Sequence, residues 1–262
     1  GMAVVYEAVA TESGEVVALK MMSHRLVYDA ESAKRFQQEA DIVQSLDHPN
    51  ICRMYDRFAA FHTYFIVMQY CDGWTLEELL HRRGRLPPEE IRKILGQLAA
   101  ALQHAHQAGI AHRDIKPSNV MILRNGTVKL MDFGLATPLD DAAEEEEEDE
   151  SLAGTPRYMA PEQLLGGRAE ASADYFSLGA VAYELVTCRP LFATNDLAAL
   201  LRLHRTALPA SFAAACPQAE AQVAEAFAHA LDQDVMTRQL DLGHLASWAA
   251  PVDTAALGIP AR

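Results

Sequence analysis

The fold of this chain is decided by two stretches, His112-Arg113-Asp114-Ile115-Lys116-Pro117-Ser118-Asn119 and Asp132-Phe133-Gly134. Asn125-Gly126 lies between them and is a strong short hairpin signal, because a type I′ turn needs positive φ at both of its central residues. We therefore predict two short strands joined by a two-residue turn at Asn125-Gly126.

The register of this hairpin predicts a metal-binding pair. Counting outward from the turn places Arg124 opposite Thr127 and, at the open end, Asn119 opposite Asp132. Directly opposed residues have Cβ atoms about 4.5 to 5.5 Å apart. An amide and a carboxylate both offer the hard oxygens that Mg²⁺ prefers. On this geometry alone, the alternative that both residues only form turns at strand ends is equally open.

Composition limits the class of protein. The 262 residues are 50% hydrophobic, which allows one large domain or two lobes around a cleft. A net charge of −14 argues against nucleic acid or anionic lipid as the main partner, since both would be repelled. We find neither a membrane-spanning apolar run nor a secretory signal, and we expect a soluble, cytoplasmic segment that makes no membrane contact.

Cysteine and histidine spacing gives no sign of a metal cluster. The four cysteines are far apart and none forms a C-x-x-C pair, which indicates neither a zinc site nor a disulfide framework and favours a reducing cytosol; they are Cys52, Cys71, Cys188 and Cys216. The ten histidines show no ligand spacing, and His104 and His106 face different sides of a predicted helix.

The first part of the chain predicts a small sheet with one helix. Strands are expected over residues 4–10, 15–21 and 64–70, with a turn at residues 11–14. Apolar residues at three- and four-residue steps predict a helix over residues 33–46 that ends before Pro49. We place the boundary between two lobes just after this part, at residues 71–73.

The remainder predicts a mainly helical lobe. Pro87-Pro88-Glu89-Glu90 begins a helix that ends at Gly109, with a buried stripe of Ile91, Ile94, Leu95, Leu98, Leu102 and Ala105. Residues 173–187 are apolar nearly all round, which indicates a helix buried on every side. Residues 140–150 form the one low-complexity segment, dominated by the run Glu144–Glu150.

The two opening stretches resemble the catalytic loop and the metal-binding triplet of protein kinases. Three further segments are similar to the family's nucleotide-lysine strand, Ala-Pro-Glu segment and central buried helix, namely Val17-Ala18-Leu19-Lys20, residues 154–162 and residues 174–179. Lys116-Pro117 is typical of Ser/Thr kinases, and residues 2–6 with Pro161-Glu162-Gln163-Leu164 resemble the bacterial eukaryotic-like branch.

The resemblance implies an α+β, two-lobed protein kinase-like fold. Residues 1–71 would form a small sheet-rich lobe with one main helix and the hinge, truncated at its first strand. Residues 72–262 would form the larger, mainly helical lobe. Within it, residues 132–162 would be the activation segment, with the acidic insert at 140–150.

The resemblance also implies an activity, the transfer of the γ-phosphoryl group of MgATP to Ser or Thr hydroxyls of proteins. Asp114 would accept the hydroxyl proton, Lys116 would neutralise the transferring phosphate, and Asn119 and Asp132 would hold Mg²⁺. Each residue alone has a simpler interpretation as a solvated loop residue, which only the ensemble outweighs.

Lys20 would bind the α- and β-phosphates and be held by Glu39. Judged from the residues alone, Glu39 is most simply interpreted as a charged residue on the helix surface. Met68 would be the gatekeeper, and Gln69 to Gly73 would be the hinge, in which Cys71 is interpreted as a small apolar residue. Further residues would contact adenine (Val5, Ala18, Met121) or stack in the spine of the active state (Val43, Met54, His112, Phe133), although each is also an ordinary core position.

The resemblance gives supporting roles to residues around the activation segment. Thr155 would contact the catalytic aspartate and lysine, Glu162 and Arg238 would form a structural ion pair, and Asp174 would lie in the central helix. The acidic run is most simply a solvated loop. The alternative is that one or two of Glu144–Glu150 bind Arg113 and replace an activating phosphate.

One departure from the family pattern leaves other functions open. The family's glycine-rich loop is incomplete, with Ala3 at its third glycine position. The alternatives are therefore a pseudokinase that binds nucleotide or serves as a scaffold, and a small-molecule phosphotransferase, which residues 154–162 disfavour. Negative charge beside the peptide site predicts basic substrates, and homodimerisation is left open.

Overall fold

The structure, a computed structural model, describes residues 3–22, 40–42, 44–133, 137–138, 155–167, 170–206 and 211–259. All structural statements concern these residues. No helix among them is both long and apolar enough to cross a bilayer.

The first lobe is built on a four-stranded antiparallel sheet with the strand order β1-β2-β4-β3. The strands are β1 (Ala3–Val9), β2 (Val16–Met22), β3 (Met54–Ala60) and β4 (Thr63–Gln69). Residues 40–42 and 44–45 are helical, and buried Ala40 packs with Met22, Met54 and Ile66 of the sheet. The predicted strands are confirmed to within one or two residues.

A short strand and a capped helix start the second lobe. Strand β5 (Gly73–Thr75) leads directly into helix α1 (Leu76–Arg83). Thr75 Oγ1 accepts a hydrogen bond from Glu78 N at 3.1 Å, and Glu78 Oε2 accepts one from Thr75 N at 3.0 Å. This capping box satisfies two donors that the first turn of a helix leaves unpaired.

Two long helices form the centre of the second lobe. Helix α2 (Pro88–Gln107) begins at the predicted prolines and buries the whole predicted stripe. Further along the chain, after β6 (Ile110–Ala111), helix α4 (Ala171–Thr187) is buried on all sides, as predicted. Both helices belong to one large hydrophobic core.

The smaller elements complete this lobe. They are a 3₁₀ turn at Pro117–Asn119, β7 (Val120–Leu123), β8 (Val128–Leu130), β9 (Thr137–Pro138), a 3₁₀ turn at Pro156–Tyr158, α3 (Pro161–Leu164), α5 (Leu197–Thr206), α6 (Phe212–Ala215), α7 (Ala221–Ala226) and α8 (Leu242–Ala246). Strands β5, β7 and β8 form one small sheet, and β6 and β9 form another. The α+β, two-lobed fold expected from the sequence is confirmed.

The predicted hairpin register is wrong by one residue. Ile122 lies opposite Val128, and Leu123 N donates to Thr127 O at 2.8 Å, so the loop contains three residues rather than two. Only Gly126 in this loop has positive φ, at 82°. A type I turn followed by a left-handed glycine gives this three-residue loop.

Tertiary contacts select the three-residue loop. Gly126 O accepts hydrogen bonds from Val252 N at 2.9 Å and from Gln97 Nε2 at 3.1 Å. A Cβ atom at Gly126 would overlap the Val252 backbone. Neither partner lies near this loop in the sequence. Asn119 consequently lies opposite Met131, whose N–H donates to Asn119 O at 2.9 Å, and not opposite Asp132.

Candidate active site

The loop that contains Asp114 is anchored on a buried carboxylate of α4. Asp174 is fully buried and accepts hydrogen bonds from the backbone N–H groups of His112 and Arg113, each at 2.8 Å. His106 Nε2 lies 2.8 Å from the same carboxylate. Burial alone would raise the pKa of Asp174, but His106, His112 and these donors lower it below its ordinary value. The anchor is therefore an ionised group.

Arg113 lies in the left-handed region of backbone space, with φ of 64°. Such a conformation costs a non-glycine residue about 1 to 3 kcal/mol and persists only where the surroundings impose it. Asp174 holds the N–H of Arg113, and Gln163 Nε2 donates to its C=O at 2.9 Å. Gln163 Oε1 in turn accepts from Ala160 N at 3.0 Å. Gln163 thus connects the start of α3 to the loop that contains Asp114.

His112 connects this loop to the end of the hairpin. Its Nδ1 accepts from Asp114 N at 3.2 Å, so its proton lies on Nε2, which is 3.0 Å from Met131 O. The ring packs on Phe133 with centroids 4.4 Å apart. The structure thus brings together two of the predicted spine residues, with Met54 also buried, whereas Val43 lies outside the described residues.

Asp114, Lys116 and Asn119 form one hydrogen-bonded group. Lys116 Nζ lies 2.7 Å from Asp114 Oδ2, and Asn119 Nδ2 donates to the same oxygen at 3.0 Å. Asn119 Nδ2 also donates to Asp114 O at 2.9 Å. Burial raises the pKa of Asp114 above its ordinary value, although Lys116 opposes the shift. A carboxylate with a raised pKa, fixed by two donors, suits a general base.

Lys20 and Asp132 join the two lobes across the cleft. Lys20 Nζ lies 2.8 Å from Asp132 Oδ1, and the Asp132 side chain is 47% exposed. Burial would raise the pKa of Asp132, but Lys20, with His112 and Lys116, lowers it below its ordinary value. Asp132 has φ of 66°, a second non-glycine residue in the left-handed region. Glu39, the predicted partner of Lys20, lies outside the described residues.

The two predicted metal ligands retain free oxygens. Asn119 uses only its amide nitrogen in the hydrogen bonds to Asp114, and its Oδ1 accepts none from the residues that the structure describes. Asp132 Oδ2 likewise has no donor among them. One carboxylate and one amide oxygen suit Mg²⁺, which usually completes its shell with phosphate and water. The residues present therefore fit a magnesium–nucleotide complex.

The predicted adenine residues surround the segment that joins the lobes. Ala18 lies opposite Met68 in the sheet, Met121 is half-buried on β7, and Val5 on β1 is 59% exposed. The Cys71 N–H and C=O have no partner within the described part of the chain. Since backbone groups normally find partners, they are available to a ligand edge. A cavity lies behind Met68, lined by Cys52, Met54, Ile66, Met131 and Phe133.

The remaining predicted residues differ in the contacts that the structure describes for them. Arg238, buried beneath Phe176, forms a bidentate ion pair with Glu162, with Nη2 to Oε2 at 3.0 Å. Thr155 is half-buried and forms no hydrogen bond with Asp114 or Lys116 over the ranges described. The acidic insert, including Glu144–Glu150, lies outside those ranges, so its pairing with Arg113 stays a prediction.

Sequence reasoning missed three polar residues near the site. Gln163 was noticed only as part of a family-like segment, His106 only for lacking metal-ligand spacing, and Cys52 only as an isolated cysteine. Their partners Arg113, Asp174 and Cys71 are all distant in the chain. No local pattern could have paired them.

The chain is similar to known protein kinases over most of its length. A family model described as "Protein kinase domain" matches residues 1–238. A probable serine/threonine-protein kinase of Streptomyces coelicolor is 41% identical over 208 residues, covering 78% of this chain and 31% of that protein. The serine/threonine-protein kinase PrkC of Bacillus subtilis is 39% identical over 204 residues, with the same coverage of 78% and 31%.

A third relative gives the same picture. The serine/threonine-protein kinase PknB of Mycolicibacterium smegmatis is 38% identical over 192 residues, covering 72% of this chain and 31% of that protein. The chain therefore spans about a third of the length of these curated relatives.

Proposed function

Because the chain belongs to the protein kinase domain family, we propose that it transfers the γ-phosphoryl group of ATP to Ser or Thr hydroxyls of protein substrates. The observation that carries the proposal is the Asp114 carboxylate, fixed by Lys116 at 2.7 Å and by Asn119 at 3.0 Å. The Lys20–Asp132 contact supports the proposal, because it adds a second cation and a carboxylate whose charge acts on Asp114.

Asp114 would receive the proton of the attacking hydroxyl. Its pKa, raised by burial, brings its basicity closer to that of a group working near neutral pH. Positioned proton transfer of this kind contributes about 10²- to 10⁴-fold to a rate. The bonds from Asn119 and Lys116 restrict the carboxylate to one orientation, which lowers the entropy lost on reaching the reactive geometry.

Lys116 and Lys20 would neutralise phosphate charge. The ammonium group of Lys116 already contacts the Asp114 carboxylate. It would also stabilise the negative charge of the phosphate while that group is transferred. Lys20 would exchange its contact with Asp132 for the α- and β-phosphates, held by Glu39.

Asn119 and Asp132 would hold Mg²⁺ through their free oxygens. When bound, the metal ion neutralises phosphate charge and orients the transferring group. The depressed pKa of Asp132 keeps its carboxylate ionised, as a ligand requires. The adenine ring would bind the Cys71 backbone between Ala18 and Met121, with Val5 above and Met68 as gatekeeper beside Gln69.

The remaining parts of the proposal concern organisation and substrates. We place the lobe boundary at residue 71, two residues after β4 ends at Gln69, and the activation segment at residues 132–162. Arg113, Phe133 and Thr155 would couple that segment to the site, while Asp174, Glu162 and Arg238 would support it. The net charge of −14 favours basic substrates, and we place the activity in the cytoplasm.

A phosphate-transfer assay tests the proposal against its alternatives. Wild type and the variants Asp114→Asn and Asp132→Asn are compared with a generic basic protein and MgATP, with Asp241→Asn, at the exposed N-cap of α8, as the matched control. We expect transfer in wild type and the control and its loss in both site variants. Nucleotide binding without transfer would favour a pseudokinase, and transfer only to small molecules would favour a different phosphotransferase.

A further inference from the structure

Two of the four cysteines, distant in the sequence, meet behind the segment that joins the lobes. Cys52 Sγ and Cys71 Sγ are 3.9 Å apart. Cys52 comes just before β3, and Cys71 just after β4, so the folding of these two strands brings them together. Neither is in a disulfide.

The geometry of the pair allows direct bonding. A disulfide has an S–S distance of about 2.05 Å, so the sulfurs must approach by roughly 2 Å. Side-chain rotation and a small shift of the joining segment can supply such a movement, since that segment is only partly buried at Cys71. Cys188, which is exposed, and Cys216, which is buried, are free thiols as well.

The surroundings favour a thiolate on one member. Lys129 is buried, with Nζ 3.1 Å from Ile51 O, and its charge acts on both thiols. The hydrogen bond with Cys52 lowers the pKa of Cys71, although burial opposes the shift, and Lys129 adds to the lowering. The same contact and burial raise the pKa of Cys52. The more accessible sulfur is thus also the better nucleophile.

We propose that Cys52 and Cys71 form a site of reversible oxidation that closes to a disulfide when a peroxide reaches Cys71. The Cys71 thiolate attacks one peroxide oxygen, the O–O bond breaks, and a sulfenic acid and hydroxide result. The hydroxide takes up the proton that the Cys71 thiol released on ionising and becomes the first water. The Cys52 thiol then attacks the sulfenic sulfur, its proton leaves with the departing hydroxide as a second water, and the S–S bond forms. Two thiols are oxidised and one peroxide is reduced to two waters.

Closure of the bond acts on the nucleotide site. Cys71 carries the backbone groups that the proposed function gives to adenine, so pulling its sulfur toward Cys52 displaces them. This consequence rests on the proposed function, whereas formation of the disulfide does not. We expect nucleotide affinity to weaken about tenfold, the order produced when one hydrogen bond is lost.

The test uses intact protein carrying Cys188→Ser and Cys216→Ser, which leaves only the pair. After treatment with hydrogen peroxide, we expect mass spectrometry to show the loss of two hydrogens and a peptide linking Cys52 to Cys71, both reversed by dithiothreitol. Adding Cys52→Ser should abolish the link and leave a sulfenic or sulfinic acid on Cys71. Wild-type protein mapped in the same way gives the result independently of any effect of these variants on folding.

Two results would overturn the proposal. The first is stable oxidation to sulfinic acid with both cysteines present and no linked peptide; the second is a link that forms only between chains. ADP affinity, measured by calorimetry before and after closure, tests the consequence separately. Unchanged affinity in the linked protein would disprove the effect on the nucleotide site, and ADP binding in neither state would count against the proposed function instead.

Discussion

The two walls of the cleft are built differently. On the large-lobe wall, the loop that contains Asp114 is anchored on Asp174, which is 0% exposed, and is also held by Gln163 and His112. On the other wall, Lys20 reaches across to Asp132, whose side chain is 47% exposed. Buried polar groups act in a low dielectric with all partners fixed, whereas the Lys20–Asp132 pair, with side chains 12% and 47% exposed, is partly screened by water. The first wall is therefore fixed by folding, and the second can exchange partners.

The largest effect should follow from breaking the buried anchor. Asp174→Asn keeps the shape but replaces an ionised acceptor of three groups by a neutral amide that has one acceptor oxygen. We expect activity to fall at least about 10²-fold and the free energy of unfolding to fall by about 2 to 4 kcal/mol. Denaturant titration and transfer assays measure both. Asp241→Asn, at the N-cap of the distant helix α8, is the control and should leave activity unchanged.

A substitution on the wall that carries Lys20 should lower activity but leave the free energy of unfolding nearly unchanged. Lys20→Met removes the cation that lowers the pKa of Asp132, so we expect kcat/KM to fall about 10²-fold with little change in the denaturation midpoint. A large loss of stability in this variant would show that the two walls are not different in kind.

A smaller effect should come from Gln163, which acts only through Arg113. Gln163→Glu retains an oxygen for Ala160 N but cannot donate to Arg113 O. Because the strained backbone of Arg113 then loses the hydrogen bond to its C=O, we expect kcat to fall about tenfold while KM for ATP is unchanged. Gln163→Leu should resemble Gln163→Glu in kcat. A rise in KM alone would contradict this positioning role.

The effect that is smallest at neutral pH should be a dependence of stability on pH that arises in the large lobe. His204 of α5 is buried between Phe176 and Phe192, and neither ring nitrogen has a partner among the described residues. Burial, with the charge of Arg238, lowers its pKa to about 4. In the unfolded chain this histidine has the ordinary pKa of about 6.5. Between pH values of about 6.5 and about 4 it therefore binds a proton in the unfolded chain but not in the folded chain.

Stability should consequently fall as the pH drops from about 6.5 to about 4, and this contribution should be constant above pH 7. His204→Leu removes the titrating group. The variant should therefore lack this acid-induced loss in the free energy of unfolding, which reaches up to about 2 to 3 kcal/mol at pH 4. Denaturation of both proteins at pH 7 and pH 4.5 measures the difference. Parallel losses in wild type and variant would place the acid sensitivity elsewhere.

Local sequence patterns correctly predicted the elements that depend mainly on interactions between residues close together in the chain. The prolines and acidic residues at the start of α2, together with its apolar stripe, predicted that helix, and the nearly uniform apolar run predicted the buried helix α4. Motif spacing predicted that Asp114, Asn119 and Asp132 belong to one site, and this assignment stays a prediction. The hairpin was found, but its register was not, because Val252 and Gln97 decide the conformation of Gly126 from far along the chain.

The sequence alone determined the fold class, the family resemblance and the residues available for chemistry, since these depend on periodicity, turn propensity and motif spacing within short segments. Only the tertiary structure decided which groups meet: Asp174 with two backbone amides, Gln163 with Arg113, and Cys52 with Cys71. Such contacts form when distant segments pack, and the energy of each depends on burial and neighbouring charge, which no single segment contains.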